Sequence, residues 1–589
     1  MCAKSDSDCY RYGSKQKLKI NSISSRTIMK TIPFSIKQLI LLLFIGNILS
    51  VNAQKSMDRY PVLLNMVHHN PGEPHFETKF TQPEYIQALG YTGQVPKIEI
   101  QCGLTYDDWE DNVVPEGTAE KMWILRHAAE VRTRLAIAEK NKMPVYPFTD
   151  VLVVPKSIMD KYGDVMKVDG RLSIKSPKTQ EILKAQITEI FKRFPSIDGL
   201  TIRHGETYLH DTPYHVGTSP AITPEEHSIM IALLREEICV KQDKKLFYRT
   251  WDFGKFHTNP EYYLKATDAV APHEKLYFSI KHVNNDFLRG NPFNTTIGLG
   301  KHQQIVELST NQAGIYGRNA HPYYIGKGII EGWSEMESKK GLQDLYDNPK
   351  IKGFWTWTWG DGWVGPYFDN ELWIKLNEYI LRAYAKNPDH TEEELFFTYA
   401  KDELGLSKKN AQRLRELCLL STDAVYYGQA TKYARTIPWY IRDHYMTGID
   451  LTRVVEDGLT EKILKEKELN LQHFYTMETL SKEIQLPRPK DQEFLEVSTT
   501  YGRIKYEIIN EIWKIQLMLA QYAVNQKIDK EDAKAALTRY KIKWKEWRQL
   551  RKDHVSCPTL YVDYEAIHIP WFKPFQESVK ELEDIILYQ

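Results

Sequence analysis

Short apolar runs alternate with amphipathic segments from about residue 60 onward, and each run ends in polar residues. Helices between several of the runs have clear start signals, such as Ser176 before Pro177 and Thr223 before Pro224, with a capping-box Glu226. Eight runs have the length and composition of β-strands: 61–67, 97–103, 144–152, 198–204, 245–251, 275–282, 304–310 and 352–359. This alternation predicts an α/β fold, a (β/α)8 TIM barrel.

An open, doubly wound sheet is the competing architecture, but the chain lacks a glycine-rich phosphate loop after its first strand. Strand signals nearly vanish beyond about residue 391, where long helical patterns take over. We therefore predict a catalytic barrel over 54–390 and an all-helical C-terminal domain over 391–589. Trp513, Trp544 and Trp547 sit at helical spacing in the second domain and are expected to be core residues.

A secretory signal peptide is predicted over 29–53. It has a lightly basic start, an apolar run over 39–49 and a small-residue end at Ala53. The run is too short for a membrane span. Residues 1–28 are polar and are interpreted as an upstream extension from a misplaced start codon. We expect export across the inner membrane, to the periplasm of a Gram-negative source.

The charge and the cysteine content argue against nucleic-acid binding and against a cysteine-based metal site. The net charge of +1 includes +6 from residues 1–53, so the remainder carries −5, which gives no support for nucleic-acid binding. The four cysteines beyond the signal are widely scattered, and no HExxH helix is present. His68, His69, His210 and His215 are weak metal signals. We expect no metal and no other cofactor.

The active site of a (β/α)8 barrel lies at the C-terminal ends of its strands. The polar and aromatic residues at the predicted strand ends are His68, His69 and Asn70; Arg203, His204 and Glu206; Arg249, Trp251 and Asp252; Lys281, His282 and Asp286; Glu307, Asn311 and Gln312; and Trp357, Trp359, Asp361 and Trp363. Carboxylates grouped with aromatic side chains are typical of glycan chemistry. An oligosaccharide is therefore the expected partner.

The aromatic residues of the last strand alternate, so Trp355, Trp357 and Trp359 share one face. Trp355, the deepest, is expected to fill the layer between barrel and helices, whereas Trp359 and Trp363 are expected to stack on sugar rings. A strand-end carboxylate often caps the next helix. For Glu206 that interpretation is weak, because the next predicted helix begins only near Thr223.

Taken in order, these residues resemble the α-glucuronidase family of glycoside hydrolases, which have a central (β/α)8 barrel and a helical C-terminal domain. The resemblance runs from the fourth strand to the end of the barrel. The stretch "IRHGETY" implies that Glu206 is the general acid, and "YRTW" that Arg249 meets the substrate carboxylate. Similarly, "IKHVNNDF" implies a carboxylate-binding Lys281 and a catalytic Asp286. Arg203 and His204, beside Glu206, are expected to bind the substrate.

The seventh strand departs from the family pattern Glu-Phe-Gln-Ile-Thr-Gln-Glu-Tyr. Here the chain reads "ELSTNQAGIYG", so Glu307 matches the first glutamate and Gln312 the glutamine. The last glutamate, one of two carboxylates thought to activate water, then corresponds to Ala313. Glu307 and Asp286 remain as candidate bases.

Three functions stay open. Dehydration of a terminal glucuronic acid, as in the breakdown of ulvan-type polysaccharides, is slightly favoured by the Arg249–Lys281 clamp and by Ala313. Exo-hydrolysis of an α-glucuronidase type is favoured by Glu206, Asp286 and the family's habit. A noncatalytic glycan-binding protein ranks third. The resemblance alone implies a homodimer through the helical domain.

Overall fold

The computed structural model describes residues 60–68, 77–205, 207, 209, 211–252, 254–310, 320–359, 370–436, 449–554 and 575–588. These residues belong to one compact unit that runs from Ser56 to Gln589. The predicted upstream extension and signal peptide, 1–53, lie outside the described residues.

Eight parallel strands form the central sheet, in the spatial order β2-β1-β8-β7-β6-β5-β4-β3. They are β1 Val62–Val67, β2 Gly93–Gln94, β3 Phe148–Asp150, β4 Gly199–Arg203, β5 Lys245–Arg249, β6 Leu276–Lys281, β7 Gln303–Ser309 and β8 Ile351–Trp359. The two edge strands meet through a parallel bridge between Gln94 and Val145, where Gln94 N donates to Pro144 O at 2.8 Å. The predicted TIM-type barrel with a helical C-terminal region is confirmed.

The second predicted strand is wrong in position. The chain pairs with β1 only over Gly93–Gln94, and Ile100–Gly103 is a 3₁₀ turn rather than the strand predicted over 97–103. Pro96 has no N–H with which to extend a ladder. Glu99 has a positive φ of 43°, which turns the chain away from the sheet. The apolar residues of this segment are therefore buried in a tight turn and not in a strand.

Alternation along the strands separates two cores. One set faces the barrel interior, including Leu64, Phe247, Tyr277 and Ile305, while their strand neighbours pack towards the helices. Trp355 belongs to the interior set, with its ring 5.9 Å from that of Phe148. The expectation that Trp355 fills the layer between barrel and helices is therefore wrong, since its strand parity points it inward.

Helices cover the outside of the barrel. Those that precede residue 390 are α1 Pro83–Ala88, α2 Ala119–Lys140, α3 Lys156–Tyr162, α4 Pro177–Arg193, α5 Pro224–Leu234, α6 Lys255–Thr258, α7 Pro260–Thr267, α8 Gly326–Glu331 and α9 Leu372–Lys386. Short elements complete this part: 3₁₀ turns at Lys79–Thr81 and Leu342–Leu345, a π-helical turn at Arg235–Lys241, and the strand pairs Val154–Pro155 with His215–Val216 and Lys167–Val168 with Arg171–Leu172. The Ser176 and Thr223 side chains accept from Thr179 N and Glu226 N, as their sequence signals predict.

The described chain beyond residue 390 is helical. Its helices are α10 Glu392–Asp402, α11 Lys408–Gln429, α12 Leu451–Glu456, α13 Thr460–Glu483, α14 Pro489–Asn525, α15 Lys530–Asp553 and α16 Phe575–Tyr588. Trp513, Trp544 and Trp547 are buried, which confirms them as core residues. Among the described helices, none combines the length and apolar character that crossing a bilayer requires.

Glycine is required where β8 meets β1. Gly353 pairs with Val62, and a Cβ atom on Gly353 would lie 1.8 Å from the carbonyl oxygen of Val62. We predict that Gly353→Ala lowers the free energy of unfolding by about 2–3 kcal/mol, because the two strands must separate to admit the methyl group. Chemical unfolding followed by tryptophan fluorescence measures this. The neighbouring Lys352→Ala serves as control, and equal midpoints for both variants would contradict the close approach.

Candidate active site

The inward-facing side chains at the C-terminal ends of the strands form the candidate site. Arg203 of β4 and Arg249 of β5 lie over the same ring, with their guanidinium carbons 4.9 and 5.0 Å from the centroid of Phe148. Lys281 of β6 and Glu307 of β7 lie at neighbouring strand ends. The barrel thus brings together four of the predicted site residues.

Arg249 and Glu307 form a buried ion pair across the barrel interior. Nε and Nη2 of Arg249 donate to the two carboxylate oxygens of Glu307, each at 2.8 Å, and the Ser279 hydroxyl donates to Glu307 at 2.9 Å. The two side chains are 1% and 0% exposed. Such a bidentate pair fixes both groups in one orientation. Glu307 therefore orients Arg249 and is shielded from solvent.

One edge of Arg249 has no hydrogen-bond partner within the part of the chain that the structure describes. There its Nη1 atom is buried without a hydrogen bond, and the guanidinium carbon lies 5.3 and 5.1 Å from the ring centroids of Trp355 and Trp357. The indole N–H groups of both tryptophans are also buried without an acceptor among the described residues. Buried donors without acceptors are costly, and such groups often mark where a ligand or a water binds.

Lys281 and Asp286 form a second pair, nearer to solvent. Lys281 Nζ donates to Asp286 Oδ1 at 2.8 Å, and it lies 3.7 Å from the ring centroid of Trp251 and 4.6 Å from that of Phe287. The Asp286 side chain is 13% exposed, against 0% for Glu307. Of these two carboxylates, Asp286 is the one that a substrate reaches more easily.

Arg203 has a carboxylate partner that the sequence analysis missed. Its Nη2 donates to Asp150 Oδ2 at 2.5 Å, and its Nε donates to the other oxygen, in a pair that is almost fully buried. Asp150 is the last residue of β3. The preference of site residues for strand ends, applied to "PFTDVL", would have identified it. Phe148 and Ser279 were also missed, because nothing in the sequence shows which strand residues face inward at this height.

His204 lies apart from the interior group. Its Nε2 donates to the Arg249 carbonyl at 3.0 Å, and its ring stacks on Tyr248 at 5.2 Å beside His227. These neighbours belong to the layer between strands and helices. Burial lowers the pKa of His204 to about 4, so the ring is neutral at ordinary pH. The structure does not bring this predicted substrate-binding residue to the other site residues.

Several predicted residues lie outside the described residues: Glu206, Asn311, Gln312, Ala313, Asp361 and Trp363, together with the side chain of Trp359. Gly205, directly before Glu206, is described. A Cβ atom there would lie 2.2 Å from Asp252 Cα and 2.7 Å from Trp251 O, so the end of β4 presses against the segment after β5. Asp252 itself accepts from Gly254 N at 2.8 Å in the turn that precedes α6.

Within the described ranges, no three His, Cys, Asp or Glu side chains come together as a metal would require.

The comparisons with known proteins concern the fold. No family model and no curated protein matches the sequence. A solved GH138 enzyme targeting pectin rhamnogalacturonan II has a TM-score of 0.54 and 13% identity, covering 90% of this chain and 67% of that chain. The chitobiase of Flavobacterium johnsoniae (TM-score 0.30, 12% identity, 81% and 74% covered) and the pneumococcal factor StrH (0.31, 12%, 63% and 93%) align more loosely. At these identities the first match shows a shared fold.

Buried histidines predict acid sensitivity. Burial lowers the pKa values of His204 and His282 to about 4, whereas both would titrate near 6.5 in the unfolded chain. Between these values the unfolded state binds more protons, so stability falls as the pH drops from about 6.5 to about 4, and neither group contributes above that window. We expect His204→Gln to reduce this loss by up to about 3 kcal/mol. Unfolding free energies at pH 7 and pH 4.5 measure it.

The exposed His390 provides the matched control. His390→Gln removes a surface histidine and leaves the buried His204 ring in place, so the loss of stability attributed to His204 should persist. An identical pH dependence for the wild type and His204→Gln would show that His204 is not held neutral by burial.

Proposed function

We propose that this protein is an exported, carbohydrate-active enzyme that removes water from a terminal glucuronic acid of acidic, ulvan-type oligosaccharides, leaving an unsaturated uronate. The observation that carries the proposal is the Lys281–Asp286 pair, whose carboxylate is 13% exposed, near the buried Arg249. It places a cation and a carboxylate together at the C-terminal end of the barrel, where barrel enzymes act.

Substrate binding follows from the unpaired donors. Among the described residues, Arg249 Nη1 and the indole N–H groups of Trp355 and Trp357 are buried donors without acceptors. A uronate carboxylate supplies acceptor oxygens for these donors. Trp359 and Trp363 are our prediction for the rings that stack on the sugar; Trp363 and the side chain of Trp359 lie outside the described residues.

The proposed reaction needs one base and one acid. Hydrogen bonds from these donors to the uronate carboxylate acidify the C5 proton, which Asp286 removes. The electron pair of the C5–H bond becomes the C4–C5 double bond, and the C4–O bond breaks. The departing hydroxyl takes a proton from the general acid and leaves as water. Glu206 is our prediction for this acid; it lies outside the described residues.

Hydrolysis of the α-glucuronidase type is the second candidate, favoured by the presence of Asp286. Hydrolysis with inversion needs a second carboxylate to activate water. Glu307 is held by Arg249 and Ser279 and is fully buried, which makes it a poor base for water. Of the two candidate bases, Asp286 is therefore the better one for either reaction. The shared fold with an enzyme whose name gives a pectin target supports a glycan substrate.

Incubation with a glucuronate-ended ulvan oligosaccharide, followed by mass spectrometry, tests the proposal. We expect a product lighter by one water, with an unchanged number of sugar residues and ultraviolet absorbance from the new double bond. Release of free glucuronic acid would establish hydrolysis instead. Binding without any product would leave a glycan-binding protein.

Asp286→Asn tests the base directly. The amide keeps the shape of the carboxylate but cannot take the C5 proton, so we expect kcat to fall about 100- to 1000-fold. Initial rates from absorbance measure it. The control is Glu274→Gln, which changes an exposed carboxylate two residues before the start of β6, at the end of the strand away from Asp286. Wild-type turnover in Asp286→Asn would exclude Asp286 as the base.

A further inference from the structure

The loop that carries Asp286 is closed on itself. Val283 and Phe293 form an antiparallel bridge at its base, and Asn284 N donates to Pro292 O at 2.9 Å. Inside the loop, Asn291 Nδ2 donates to the Asp286 carbonyl at 2.8 Å. Residues 284–292 are therefore tied together, and a displacement at one point of the loop is transmitted to Asp286.

Arg289, three residues after Asp286, anchors this loop. Its side chain is 1% exposed, and all three of its nitrogens donate. Nε and Nη2 donate to Glu335 at 2.6 and 3.1 Å, and Nη2 also donates to Asp423 at 2.9 Å. Nη1 donates to the carbonyl of Thr422 at 2.6 Å.

Aromatic rings enclose the same guanidinium. Its carbon lies 4.2 Å from the ring centroid of Trp333 and 4.6 Å from that of Tyr426. Contacts between a cation and ring faces strengthen when water is excluded. Thr422, Asp423 and Tyr426 all belong to α11, more than 130 residues later in the chain than Arg289.

We infer that Arg289 is a positioning residue through which helix α11 of the helical region holds the Asp286 loop in place. Surface loops are normally more mobile than the strands that they follow. A general base must stay within hydrogen-bond reach of its proton, and a displacement of about 1 Å costs about 100-fold in rate. The helical region thereby becomes part of the catalytic apparatus, an inference that rests on the proposed role of Asp286.

Asp423→Ala is the variant that tests the link. Asp423 is 55% exposed, so its removal leaves Arg289 paired with Glu335 and leaves little buried charge uncompensated. Hydrogen–deuterium exchange with mass spectrometry, on the full-length protein without substrate, reports on the loop itself. We expect peptides that cover 284–292 to exchange about tenfold faster in Asp423→Ala, at an unchanged unfolding midpoint. The conservative Asp423→Asn should restore most of the protection.

Glu416→Gln, an exposed acid on the same helix, is the matched control and should exchange like the wild type. With the glucuronate-ended oligosaccharide, Asp423→Ala should show kcat reduced about tenfold and KM within about twofold of the wild type. Unchanged loop exchange would overturn the link through the Arg289–Asp423 ion pair, and faster exchange with unchanged kcat would overturn the positioning role. If the wild-type protein showed no turnover of this oligosaccharide, the proposed function would be refuted. The hydrogen–deuterium exchange measurement would still test the link between α11 and the loop.

Discussion

The pairing of Arg249 with Glu307 inside the barrel is the constraint on which the candidate site depends. The interior of such a barrel is normally filled with apolar side chains. Here two charges stand among Phe148, Trp355 and Trp357, where water is excluded. An unpaired charge there would carry a large desolvation cost, so each partner requires the other. The fork geometry also fixes which edge of Arg249 remains unused.

The cations at the neighbouring strand ends are also paired with carboxylates. Arg203 pairs with Asp150, and Lys281 pairs with Asp286, so every cation of the described site already has a carboxylate partner. A site that is neutral at rest binds an anionic substrate only through its remaining donors. Solvent exposure rises from Glu307 to Asp286, which separates a carboxylate that orients a neighbour from one that can exchange a proton with a substrate.

The buried side chain of Arg289 joins the helical region to the loop that carries Asp286. Arg289 contacts Glu335 ahead of β8 and Asp423 on α11, so one guanidinium joins a barrel loop to a helix far along the chain. Burial of a cation with two carboxylates and several rings is stable only when all of its partners are in place. This makes the position of the loop a property of the whole chain rather than of the barrel alone.

Local patterns in the sequence determined the strands, except the second, and the helix starts at Ser176 and Thr223, because alternation and capping act over a few residues. They also placed Arg249 and Lys281 at strand ends and Asp286 in the segment that follows β6. Only the tertiary structure decided that Glu307 orients Arg249, that Asp150 joins the group, and that His204 points towards the helices. These outcomes depend on partners from other strands and on which face of each strand closes inward. Sequence spacing does not encode that information, because the barrel's curvature and register are set by all eight strands together.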